Sequence, residues 1–401
     1  MNGTDEGIKR VNAQKKRKPK RRVRWWLLIF PVILVTGIIA AFKVPAMMKD
    51  SKIRNLGYSR EEAEAIAEAG LSDVILENEY YSEHLAEAIR TGTLQKDYIP
   101  LYVATDTTRE FSDRDFLLYR RLADEGYEED QLMNLFASLK FYELTPLLTF
   151  DYQWNEQLYI DDVIACREQN AGGSFILESS YRQNYRMKYA AEDPHNLNVL
   201  VNKNYYLPAD FVPEELTPIT TEYSVAGMQL TKEAAEAAVK MCMDALGEGY
   251  AFFISGSYMD YVSIQNAYTH FLNNKGEYYA DMQVGKAGFC EFQTGLSVNL
   301  AATYEKYEDF RTTECYKWLK DNCVSYGFIE RYPVGREDIT GSAEDASYYR
   351  YLGKELAAKV SASSLTYDEY WCLFLKGWYE ETNRPADTLI ENALAEVTDR
   401  S

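Results

Sequence analysis

Apolar and polar positions change register several times along the chain, and each change predicts an element. Trp25 to Phe42 is an unbroken apolar run at the low end of the roughly 17–25 residues that cross a bilayer as a helix. From 56 to 150 the apolar positions recur at helical spacing. Ser59-Arg60-Glu61-Glu62 reads as a capping box ahead of Ala63, Ile66 and Ala67. Its outline, Gly57-Tyr58 followed by an acidic helix start, returns at Gly126-Tyr127-Glu128-Glu129-Asp130, as in a repeated helical hairpin. Residues 151–195 are mixed, with a turn expected at Gly172-Gly173. Further on, Lys232 to Leu246 is an amphipathic helix and Tyr250 to Ser255 a buried strand. Gly295 to Leu300 alternates as a strand, and Phe310 to Ser325 reads as a helix. Residues 379–401 close the chain as an amphipathic helix or tail.

Charge sharpens the N-terminal reading. Residues 1–24 carry ten Lys or Arg against two acids, a net +8, which leaves -27 of the overall -19 for residues 25–401. A basic flank before an apolar run predicts a cytoplasmic tail, and Trp25 and Trp26 stand where an interfacial aromatic belt belongs. The run 25–42 is expected as an uncleaved signal anchor: a single-pass contact with the cell membrane, cytoplasmic N-terminus, extracytoplasmic C-terminal body. The alternative is a cleaved signal peptide; the run is long for one, and Phe42-Lys43-Val44-Pro45-Ala46 is a poor cleavage site. The acidic body argues against nucleic acid as partner, because phosphate binding needs a basic face. Six cysteines with no CxxC spacing give no zinc knuckle. Cys315 and Cys323, eight apart, are too distant along a helix to bridge, and buried thiols are expected.

Gly288-Phe289-Cys290-Glu291-Phe292-Gln293-Thr294-Gly295-Leu296-Ser297-Val298-Asn299 resembles the zinc-binding segment P-G-x-S-E-H-Q-T-G-L-A-V-D of VanY-type D-alanyl-D-alanine carboxypeptidases. Five further blocks follow that family in order. They are Leu200-Val201-Asn202-Lys203 with Leu207-Pro208 and Pro213–Leu216, and Ser255 to Gln265. Trp318-Leu319 with Tyr326–Pro333, Ile339-Thr340-Gly341 with Tyr349–Gly353, and Leu365–Tyr370 complete them. The resemblance implies an α+β fold, a small antiparallel sheet with helices, over 196–378. It would stand behind a basic tail (1–24), the membrane anchor (25–42), a helical stalk or set of hairpin repeats (56–150) and a connecting region (151–195), and ahead of the tail 379–401.

The departures fall on the positions that carry the family's chemistry. The zinc-ligand positions are occupied by Phe292, Asn299 and Tyr348, and the general-base Glu position by Asp345. The substrate-binding Arg and Ser positions are Asp260 and Tyr261, while Gln265 is retained as the one candidate substrate contact. A catalytic zinc of this kind needs three imidazole or carboxylate ligands and an open position for water. Phenylalanine has no lone pair, an amide oxygen suits harder cations, and a tyrosine ligates only as phenolate, far from its ordinary pKa of about 10. Asp260 replaces a carboxylate clamp with a like charge. The other histidines, His84, His195 and His270, are not placed to substitute; His270 stands five residues after Gln265, on another helix face. Cys290 reads as a small buried residue rather than as part of a rebuilt Cys/Glu/Asp site. Gln293, Thr294, Gly295, Arg331 and Tyr349-Arg350-Tyr351 read as maintained scaffold.

The expected function is that of an exported, membrane-anchored pseudoenzyme without bound zinc, binding peptidoglycan peptide or a cell-wall protein. The alternative is an active zinc D-alanyl-D-alanine carboxypeptidase that trims stem peptides through an altered site.

Overall fold

The computed structural model describes residues 45–150, 155–169, 185, 188–303, 309–377 and 387–399. The expected anchor 25–42, the basic tail and the Gly172-Gly173 turn lie outside the described residues. No helix among the described residues is long and apolar enough to cross a membrane.

The described residues form two compact units, one of residues 45–81 with 88–93, the other of residues 82–87 with those from 94 onward. In the first, residues 45–56 are helical and Gly57 turns the chain at φ +130. Tyr58 is buried, its hydroxyl donating to the Tyr80 carbonyl at 3.0 Å and its ring lying edge-on to Tyr81 at 5.0 Å. The Ser59 hydroxyl accepts from Glu62 N and the Glu62 carboxylate accepts from Ser59 N, so two of the orphan donors at the start of helix Arg60–Glu68 are satisfied reciprocally. The same device recurs in the second unit. Gly126 has φ +93, Tyr127 is buried, and Glu128 and Gln131 cap each other at the start of the helix Glu129–Ser138.

In the second unit α1 (Asp113–Asp124) buries Phe116, Leu117, Leu118 and Leu122. Farther along, α2 (Lys232–Gly247) buries Ala234, Ala235, Ala238, Met241, Cys242 and Ala245, an alanine-rich stripe on the helix face turned to the core. The sheet contains β1 (Phe252–Gly256), then, after α3 (Tyr261–Lys275), β2 (Ser297–Ala302). Helix α4 (Glu314–Asn322) precedes β3 (Phe328–Tyr332) and β4 (Asp345–Tyr351). All pairings are antiparallel in the order β1-β2-β4-β3. Phe252, Ile254, Val298, Leu300, Phe328 and Tyr349 join α2 in one core on one face. The helix expected over Phe310 to Ser325 is broken at Thr313, whose hydroxyl accepts from Tyr316 N at 3.0 Å and so restarts the chain as α4.

After α5 (Lys354–Ser363) the closing segment forms α6 (Thr388–Thr398), with Ile390, Ala393 and Val397 fully buried at helical spacing. It packs on α1: Glu396 accepts from Asp113 N and Arg114 N, both at 3.1 Å, and Arg120 pairs with Asp387 at 2.8 Å. Thr145 donates to Glu369 at 2.7 Å and Asn204 to the Thr149 carbonyl at 2.9 Å. The boundary between units therefore falls near residues 82–94. The helices from 94 to 150 share a unit with the peptidase-like segment because the closing helix and these hydrogen bonds fasten them to it.

Candidate functional site

The segment that carries the resemblance is a tight structure built around backbone demands. The carbonyl of Gly288, at φ +88, accepts from Leu207 N at 2.8 Å, and a Cβ there would stand 2.9 Å from the Leu207 carbonyl oxygen. A 3₁₀ turn, Glu291–Thr294, follows; Gly295 then takes the left-handed conformation at φ +69 and delivers the chain into β2. This turn sets Phe292 beside the sheet.

Three positions far apart in sequence meet there. Asn299 on β2 stands directly opposite Tyr348 on β4, so both project from the same sheet face. The Phe292 ring lies 4.7 Å from the Tyr348 ring, and Tyr332 approaches Tyr348 from the other side at 4.9 Å. Gly256 leaves room for this: a Cβ there would be 3.2 Å from the Asn299 Cβ and 3.5 Å from the Phe292 ring. Asp345, at the start of β4, accepts from Asn299 Nδ2 at 3.3 Å and from the Ser347 amide and hydroxyl at 2.9 and 2.6 Å. Asn299 thus turns its N–H₂ toward the carboxylate, and its Oδ1 is buried without a hydrogen-bond partner.

The electrostatics follow from this packing. Burial pushes the Tyr348 phenol well above its ordinary value, with Tyr332, Cys290 and Glu291 adding to the effect. Burial likewise raises the Cys290 thiol to about 11, so it stays protonated at neutral pH. Among the described residues no three His, Cys, Asp or Glu side chains converge as metal ligands. His84 lies against Thr105, His195 against the Phe211 ring at 5.0 Å, and His270 is exposed on α3 beside Asn274. Asp260 is the N-cap of α3, accepting from Ser263 N at 2.7 Å, and that hydrogen bond holds its carboxyl below the usual range. Tyr261 packs half-buried against Ile264, Ala287 and Cys290. Gln265 lies exposed on α3, bonded to Thr269 rather than turned toward Phe292, Asn299 or Tyr348.

Next to the aromatic group lies a feature that the sequence signalled only as scattered motifs. Arg331 and Arg350 are wholly buried. Arg331 donates from Nε to Glu291 at 2.9 Å and from both terminal nitrogens to Asp368 at 2.5 and 3.2 Å. Arg350 stands 3.4 Å from the same Glu291 oxygen and donates to the Leu197, Val199 and Tyr351 carbonyls. Asn202 donates to Asp368 at 2.7 Å. Burial alone would depress the Arg331 guanidinium; Asp368 and Glu291 more than offset this and hold it well above its usual value. Two basic and two acidic side chains thus face one another out of contact with water.

A profile of the family described as "VanY: D-alanyl-D-alanine carboxypeptidase" matches residues 227–354, the segment containing this site. The "Putative carboxypeptidase YodJ" of Bacillus subtilis (strain 168) is 33% identical over 215 residues, which span 51% of this chain and 79% of that protein. A D-alanyl-D-alanine carboxypeptidase of Enterococcus faecium is 26% identical over 236 residues, covering 56% of this chain and 74% of the relative. Among solved structures, the LdcB LD-carboxypeptidase is similar at 34% identity, over 46% of this chain and 89% of that one, with a TM-score of 0.43. With 33% identity across 79% of YodJ, and with the family's segments gathered around one site, this chain belongs to the VanY family of D-alanyl-D-alanine carboxypeptidases.

Proposed function

We propose that this chain is an exported, membrane-anchored member of the family that has lost the metal chemistry and acts by binding, with peptidoglycan stem peptide or a cell-wall protein as its ligand. The observation that carries this reading is the contact between Phe292 and Tyr348, two of the three zinc-ligand positions, whose rings pack at 4.7 Å.

The donor set does not fit zinc. Phe292 offers no lone pair. Tyr348 would have to ionise, and its burial opposes that. Asn299 presents its N–H₂ to Asp345, so the amide is turned as a donor. Asp345 accepts three hydrogen bonds from Asn299 and Ser347 instead of standing ready as a base. The position of the family's carboxylate-binding Arg holds Asp260, engaged as a helix cap. The family's substrate class supports peptidoglycan peptide as the ligand, and the basic-then-apolar sequence 1–42 supports anchoring.

The test is zinc content and D-Ala release, measured together on the full chain in detergent with a peptide ending in D-Ala-D-Ala. The expected outcome is neither. Stoichiometric zinc with release would overturn the reading in favour of an active carboxypeptidase with an unfamiliar ligand set. Combining Phe292→His, Asn299→Asp, Tyr348→His and Asp345→Glu is expected to create zinc binding, because the backbone positions already converge.

A further inference from the structure

Successive residues of a strand face opposite sides of a sheet. Tyr348 turns toward Phe292 and Asn299; Tyr349 therefore turns away, into the core shared with α2. Tyr349 is 1% exposed, and its hydroxyl has no hydrogen-bond partner. A buried hydroxyl left unpaired loses its bond to water without a replacement, so its surroundings matter. Tyr349 lines a cavity of about 410 Å³ beside the outer strand β3 and the helices α4 and α5.

Glu330 lines the same cavity and stands directly opposite Tyr349 in the β3–β4 register. Both its oxygens lie 3.3 Å from one donor, the Tyr316 hydroxyl, so the carboxylate keeps acceptor capacity. A free O–H beside a carboxylate is the complement of a peptide unit, one group for its C=O and the other for its N–H. The walls add Val324, Ile329, Pro333 and Val360, which suit small aliphatic side chains. Two cations stand at the rim. Lys320 lies over the Tyr316 ring at 5.9 Å and near Glu330, whereas Arg336 makes no ion pair with another described residue. Arg336 is left to meet a carboxylate.

We propose that this cavity, which runs along the outer strand β3 and is lined by none of Phe292, Asn299, Asp345 and Tyr348, is a second binding site for a short aliphatic peptide with a free C-terminal carboxylate. Tyr349 donates to a peptide carbonyl, Glu330 accepts from a peptide N–H, and Arg336 pairs with the terminal carboxylate. The cavity volume lies within the range of small-ligand sites and admits about two small residues. The site does not depend on whether the family's catalytic positions have kept or lost a metal.

The experiment is calorimetric titration of the full chain in detergent with acetyl-alanyl-alanine, in its L,L and D,D forms, and with the corresponding C-terminal amides. Binding of at least one free acid is expected, weakened about tenfold by Tyr349→Phe through the loss of one hydrogen bond. A weakening of at least that size is expected for Arg336→Ala and for the amide. Melting curves establish that Tyr349→Phe is folded; should it unfold, the half-exposed Arg336→Ala decides. No binding at millimolar peptide overturns the proposal, as does binding unchanged by both variants. Binding lost in Asp345→Ala but kept in Tyr349→Phe places the peptide at the family's catalytic positions and overturns it as well. D-Ala release by the unmodified chain would count against the binding-only reading and leave this site standing.

Discussion

Arg331 and Asp368 form a two-point ion pair with no solvent exposure at either side chain. Around it, Asn202, Glu291 and Arg350 complete a group to which five separate sequence segments each contribute one member. This explains why the segments persist while the chemistry-bearing positions beside them have changed. Removing one of its four charged members leaves an opposite charge uncompensated in a dry interior, whereas exchanging Phe292 for a ligand residue touches no member of the group.

Asp368→Asn preserves volume and removes one charge. The expected loss is about 3–5 kcal/mol, the usual consequence of breaking a buried pair by one partner. Urea unfolding measures it; a loss under about 1 kcal/mol would mean that Glu291 alone suffices for Arg331.

At the aromatic site the expected costs are unequal. The Tyr348 hydroxyl is buried with no partner beyond the Ser297 side chain, so Tyr348→Phe is expected to change stability by no more than about 1 kcal/mol. Phe292→Ala opens a gap against Tyr348 and is expected to cost about 2 kcal/mol, less than for a fully buried Phe. Thermal melts of the two variants side by side check the order; a larger loss for Tyr348→Phe would contradict the packing described.

Glu330 gives a pH dependence with a definite sign. Burial raises its carboxyl above the ordinary 4.5, with Lys320 and Tyr316 opposing. Between 4.5 and that raised value the folded state holds a proton the unfolded chain has released, so stability falls as pH rises through the window. Glu330→Gln removes this contribution. Its stability relative to the unmodified protein is expected to climb across the window and to be flat below it. Melting temperatures of both proteins from about pH 4 to pH 8 decide; a difference independent of pH would refute it.

Gly327 sits at φ +87 before β3, where a Cβ would meet the Gly353 carbonyl carbon at 2.9 Å and the Tyr351 ring at 2.8 Å. Backbone cannot yield as a flexible side chain can. Gly327→Ala is expected to cost at least about 2 kcal/mol, read by urea unfolding. An Ala variant as stable as the original would mean that the turn relaxes freely.

The sequence by itself determined the family and much of the element pattern. A dozen residues around Phe292, and ordered blocks elsewhere, are local strings whose spacing survives without knowledge of contacts. The Ala-rich stripe of α2 and the capping box at Ser59 are legible for the same reason: both arise from neighbours within about one helical turn. The break at Thr313 was missed because a hydroxyl caps a helix only when the backbone turns toward it. Only the tertiary structure decided that Asn202, Glu291, Arg331, Arg350 and Asp368 neutralise one another, since long-range pairing leaves no periodic trace in any one segment. It likewise decided that Tyr349 and Glu330 face one cavity, which follows from strand register and burial, and that the helices from 94 to 150 share a unit with the peptidase-like segment. Local spacing is written in the chain one turn at a time; which charges and hydroxyls meet in the interior is set by how distant segments pack.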